Sequence, residues 1–139
     1  GICLGAQIIA KFYGSIIQKS PNKEVEIGYR NTKKIDNSII NDRTKFLQFH
    51  NEGISFNSNM ELLSKGNLFN VDAFKIKNKE VYGFQFHPEV TSKMIKNWYG
   101  NLKSIDKGTD KLSKILKDHK TYHKENYFWL NKILNKIIK

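Results

Sequence analysis

A chain of 139 residues suits one domain, and 39% hydrophobic content with 12% aromatic residues is enough for a core. Its single cysteine excludes an internal disulfide framework and fits a reducing, cytoplasmic setting, and no apolar run or signal-peptide pattern indicates a membrane. The formal charge of +11 raises nucleic acid as a partner, yet only Arg30 and Arg43 among 24 basic residues are arginine, so no nucleic acid is expected.

The first residues, Gly1, Ile2, Cys3, Leu4 and Gly5, have the G-x-C-x-G spacing of a nucleophile elbow. Such an elbow leaves a strand, reverses at a strained apex and enters a helix, which exposes the apical side chain. Glycine on both sides is expected to let strand and helix approach where a Cβ would clash. The helix is predicted over residues 5–13 with Gly14 as its stop, so Cys3 faces the unpaired N–H groups and positive end of that helix. Alone, the pattern fits a small buried hydrophobe in a Gly-rich turn equally well.

Residues 15–19 then read as a short strand and residues 20–23 as a turn. Over residues 24–32, Val25, Ile27 and Tyr29 alternate with Glu24, Glu26 and Gly28, which predicts a half-buried strand. Residues 31–43 read as a loop. Residues 46–49 form a predicted short strand that delivers His50 either to a pocket rim or to a polar contact at a strand end. Residues 61–65 suggest one helical turn closed by Gly66, and residues 68–77 and 79–86 form two apolar strands around an Asn78-Lys79 hairpin turn.

The second of these strands runs into Phe86, His87, Pro88, Glu89 and Val90. Pro88 ends the strand because it has no N–H to donate, and residues two apart in extended chain share a side, so His87 and Glu89 face together. A cysteine nucleophile needs a base within reach, and the base needs a third group to orient it. Cys3, His87 and Glu89 supply those roles in turn.

Beyond Thr91 the period becomes helical. Thr91 or Ser92 can cap a helix carrying Met94, Ile95, Trp98 and Leu102. Gly108, Thr109 and Asp110 reset the chain, after which one helix runs to about residue 120. A last helix over residues 122–139 is predicted to bury Tyr127, Leu130, Ile133, Leu134 and Ile137. His119 and His123 stand four apart, but lysines flank them and no third ligand is in view. They read as a solvated face, and no metal is expected.

The segments Gly1-Ile2-Cys3-Leu4-Gly5-Ala6-Gln7 and Phe84-Gln85-Phe86-His87-Pro88-Glu89-Val90 together resemble the class I glutamine amidotransferases. Residues 47–56 are similar to the subgroup that includes the amidotransferase part of GMP synthase, with Phe49-His50-Asn51-Glu52 where that subgroup often has Trp-His-Gly-Asp. The resemblance implies an α/β fold, the C-terminal part of a flavodoxin-like domain with an open, mostly parallel sheet flanked by helices. Residues 1–139 would be a partial domain lacking N-terminal strands and one oxyanion loop, with residues 108–139 as a helical extension.

The same resemblance implies hydrolysis of the glutamine side-chain amide, with Cys3 as nucleophile, His87 as base and acid, and Glu89 orienting it. The Leu4 N–H would be an oxyanion donor. Gln7, His50, and the backbone around Asn51 and Glu52 would hold the substrate. No cofactor is implied, and a separate ammonia-accepting synthase is a potential partner. A γ-glutamyl peptide or amide hydrolase with the same triad, and an inactive remnant or interaction module, are the alternatives at this point.

Overall fold

The computed structural model describes residues 1–35, 39–41 and 43–138. Within them the elements run α1 (Leu4–Phe12), β1 (Ile17–Lys19), β2 (Glu26–Asn31), β3 (Lys33–Lys34), β4 (Lys45–His50), β5 (Glu52–Ile54), β6 (Met60–Lys65), β7 (Ala73–Ile76), β8 (Tyr82–Phe84), α2 (Ser92–Gly100) and α3 (Leu112–Ile137). The fold is α/β, as expected, but the paired strands among the described residues are antiparallel and not mostly parallel, with parallel pairing only at the Ile2–Phe84 and Ile27–Thr109 bridges. Strands β3, β6, β7 and β8 pair antiparallel in that order, β2 pairs with β4 and β1 with β5.

Strand β8 joins these pieces. Its free edge takes the start of the chain in parallel register: the Gly1 nitrogen donates to Tyr82 O, Phe84 N to Gly1 O and Cys3 N to Phe84 O. Just beyond β8, His87 N donates to Leu47 O at 2.8 Å, which ties the strand's extension to β4. Period-two alternation sends Phe84 and Phe86 against Trp129 of α3, and leaves Gln85 and His87 on the side of Cys3. Phe46 and Phe86 stack at 4.1 Å in that core, joined by Ala73, Leu130 and Ile133. A second cluster lies under α1 (Ala6, Ala10, Ile54, Met60, Val71, Phe74). A third lies where α2 and α3 cover β2 and β4 (Ile27, Tyr29, Leu47, Ile95, Ile115).

Several local expectations are met. The Asn78 turn has φ 59° and joins β7 to β8 through an Ile76 N–H bond to Val81 O, and Thr91 Oγ1 caps α2 by accepting from Met94 N. Others are corrected. Residues 61–65 lie in strand β6, because pairing with β7 overrides the helical preference of Glu, Leu and Lys. Within the expected loop 31–43, Asn31 ends β2 and Lys33–Lys34 form β3, while residues 36–38 and 42 lie outside the described residues.

Strand β2 is covered on both sides, not one: Glu26, Ile27, Gly28 and Tyr29 are all buried, since α3 packs on one face and polar side chains cover the other. The two predicted C-terminal helices are one, Leu112–Ile137. Its inner stripe passes through Ile115, His119, Asn126, Trp129, Leu130 and Ile133, which turns Tyr127 and Leu134 outward. His119 is therefore not on a solvated face. It is buried, and its Nδ1 lies 2.8 Å from Tyr29 Oη.

Candidate active site

Cys3 sits between the strand-like Gly1–Ile2 pairing and α1 with φ 45° and ψ −106°, a left-handed conformation that costs a non-glycine residue about 1–3 kcal/mol. The hydrogen bonds on both sides hold it there: Cys3 N is bound to β8, and Cys3 O accepts from Gln7 N. The expected role of the flanking glycines holds on one side only. A Cβ on Gly1 would lie 2.5 Å from the Gly5 carbonyl carbon, whereas a Cβ on Gly5 would meet nothing within 4 Å. Leu4 opens α1, so its N–H has no acceptor inside the helix, and it lies at the exposed side of the elbow.

His87 is carried to Cys3 by the chain beyond β8. Its Nδ1 lies 2.7 Å from Glu89 Oε1, so the carboxylate accepts from Nδ1 and leaves the other ring nitrogen for Cys3. Burial pulls its pKa down, but hydrogen bonds and charge from Cys3 and Glu89 outweigh it and push it up to about 9. The ring of Trp98, on α2, packs against His87 with centroids 4.8 Å apart. Glu89 and Trp98 thus hold one imidazole against a sulfur that lies far from it in sequence.

Behind them lies a buried polar chain. Gln7 Nε2 donates to Glu52 O at 3.0 Å and to Gln85 Oε1 at 3.2 Å, and Gln85 Nε2 donates to Cys3 Sγ at 3.6 Å. His50 Nδ1 lies 2.8 Å from the same Glu52 O and its Nε2 lies 2.9 Å from Gln48 Oε1, while Gln48 Nε2 donates to Asp72 Oδ1. Glu26 Oε2 stands 3.6 Å from His50 Nε2, and Glu26 Oε1 accepts from Leu68 N. Desolvation dominates here. It lowers the pKa of His50 to about 4, raises that of Glu26 to about 7, and raises that of Asp72 to about 6.

Of the residues singled out in the sequence, Cys3, His87, Glu89 and the Leu4 N–H come together at the elbow. Gln7, His50 and the Glu52 carbonyl form the adjoining interior network, and Asn51 is exposed beside a cavity of about 380 Å³. Gln85, Gln48, Glu26, Asp72 and Trp98 were not singled out for the site. Gln85 stands two residues before His87 on the same face of an extended segment, and that alternation is the signal that could have found it. No cluster of metal-ligating side chains occurs among the described residues, and no helix among them is long and apolar enough to cross a membrane.

An elbow cysteine, a histidine and a glutamate on this α/β frame define a class of protein that comparison identifies. The family model described as Glutamine amidotransferase class-I matches residues 1–106, and the chain belongs to that family. It is 39% identical over 93 residues to a glutamine-hydrolyzing GMP synthase subunit from Methanobrevibacter smithii, covering 65% of this chain and 49% of that protein. It is 33% identical over 95 residues to the glutamine-hydrolyzing GMP synthase of Cytophaga hutchinsonii, covering 66% of this chain and 19% of that one. The chain spans about half the length of the GMP synthase subunits it matches. Its fold superimposes on a glutamine amidotransferase from Thermotoga maritima with TM-score 0.82 at 23% identity, covering all of this chain (100%) and 61% of that one.

Proposed function

We propose that this protein hydrolyses the side-chain amide of glutamine to glutamate and ammonia through a cysteinyl acyl-enzyme. The observation that carries the reading is the left-handed Cys3 at the head of α1, facing a histidine that Glu89 holds at 2.7 Å. The Cys3 thiolate attacks the γ-carboxamide carbon, forming a C–S bond while the carbonyl oxygen takes the negative charge. The free Leu4 N–H supports that oxyanion. Protonated His87 gives its proton to the departing nitrogen, the C–N bond breaks and ammonia leaves. Neutral His87 then takes a proton from water, whose oxygen attacks the thioester carbon; collapse returns the Cys3 thiolate and releases glutamate.

In this reading Asn51 and the backbone beside Glu52 meet the α-amino and α-carboxyl groups of the substrate. The related GMP synthase subunits are named for glutamine hydrolysis, and a separate synthase that consumes the ammonia is the partner this reading implies. The test is glutamate release from glutamine by the full chain and by Cys3→Ala. Release that the substitution abolishes is the expected result. Hydrolysis of γ-glutamyl dipeptides with none of glutamine would replace the substrate, and inactivity on both would overturn the enzymatic reading.

A further inference from the structure

Gln85 is almost wholly buried, at 1% exposure, at a strand end where a carboxamide without partners would cost about 1–3 kcal/mol. Its two ends are chemically different, and the surroundings decide which faces the sulfur. The Glu52 carbonyl can only accept, so it fixes the NH2 end of Gln7 toward itself, 3.0 Å away. The second hydrogen of that NH2 goes to Gln85 Oε1 at 3.2 Å. The NH2 of Gln85 is thereby turned to Cys3 Sγ, at 3.6 Å. Reversing Gln85 would oppose two NH2 groups and place a carbonyl oxygen against the sulfur lone pairs, and reversing Gln7 would set its own carbonyl oxygen against the Glu52 and Gln85 oxygens. The Glu52 carbonyl is itself held by His50 Nδ1. The polarity of the whole chain thus starts at one backbone oxygen and ends at the nucleophile.

Resting on the reading of Cys3 as nucleophile, we infer that Gln85 is a further catalytic residue, whose Nε2–H holds the Cys3 sulfur as a second donor beside His87. A hydrogen bond to an anionic sulfur is charge-assisted and stronger than one to a neutral thiol. It therefore supports the thiolate twice: before attack, and again when the sulfur is expelled from the thioester adduct. Gln7 is the positioning residue that aims it.

Cys3 is the single cysteine of the chain, so alkylation by iodoacetamide reports on it alone. In the full chain, Gln85→Met keeps the side-chain length and removes the donor. It is expected to slow alkylation at pH 7 about tenfold and displace the rate-against-pH curve upward by about one unit. Gln85→Glu, which also loses the donor and adds negative charge, is expected to slow it further. A Gln85→Met curve superimposed on the wild type overturns the inference. Should that variant not fold, Gln7→Met decides: an upward displacement supports the inference and an unchanged curve overturns it. Alkylation needs no substrate, so the predicted response in a protein that releases no glutamate would support Gln85 while overturning glutamine hydrolysis.

Discussion

The imidazole of His87 packs on the indole of Trp98, with ring centroids 4.8 Å apart and planes at 56°. Trp98 is itself backed by Phe49 of β4, 5.5 Å away between centroids, so one aromatic wall from two elements limits the rotation of the histidine. Glu89 fixes the ring by one nitrogen and Trp98 by one face. Trp98→Ala should lower kcat for glutamine about 10- to 100-fold with little change in KM, because small misplacements of a catalytic group cost rate. Trp98→Phe should restore most of it. Equal steady-state constants for wild type and Trp98→Ala would show that Glu89 alone is sufficient.

The proton on His87 makes stability depend on pH. Burial opposes the charged ring, but Cys3 and Glu89 raise its pKa from 6.5 to about 9, so the folded chain keeps a proton that the unfolded chain releases. Stability from this pairing is complete below about pH 6.5 and is lost as pH rises through about 9. In Cys3→Ala the raising effect of the sulfur is gone. The midpoint of His87 in an NMR titration should fall, and stability should decline less over that window. An unmoved midpoint would assign the whole effect to Glu89.

Buried Glu26 loses stability in the same direction of pH, but here the protonated form that the fold favours is the neutral one. Desolvation raises its pKa from 4.5 to about 7, so the native state binds the extra proton between those values and stability falls as pH rises across them. Glu26→Gln keeps an acceptor for Leu68 N and has no charge to bury. It should be more stable than wild type at pH 8 by on the order of 2 kcal/mol, and little different at pH 4. Thermal unfolding at the two pH values measures this, and an equal gain at both would remove ionisation as the cause.

The two glycines of the elbow should respond differently to alanine. At Gly1 the new methyl would press on backbone atoms of Gly5 and Ala6, a clash that costs about 1–3 kcal/mol and displaces Cys3. At Gly5 it points into open space at the first turn of α1, where alanine is favoured by up to about 1 kcal/mol. Melting temperatures of the two variants should therefore move in opposite directions. Equal losses would mean that Gly5 is held by something other than space.

Much of the geometry of the candidate site was legible in the sequence because it is built from local chemistry. The G-x-C-x-G turn and the His-Pro-Glu strand end each prescribe a short-range conformation, and one nucleophile, one base and one carboxylate leave few ways to share the roles. The Asn78 turn and the Thr91 cap were legible for the same reason. What only the tertiary structure decided depends on residues far apart in the chain. Residues 61–65 prefer helix locally but become β6 once β7 lies beside them. His119 looks solvent-facing among lysines, yet the stripe of α3 that meets β2 and β4 includes it. Glu26 occupies an alternating polar position that suits an exposed face, and only packing reveals that it is buried in a network there. Turn and cap preferences act over a few residues and are written in them. Burial and hydrogen-bond polarity are set by whatever the fold brings alongside.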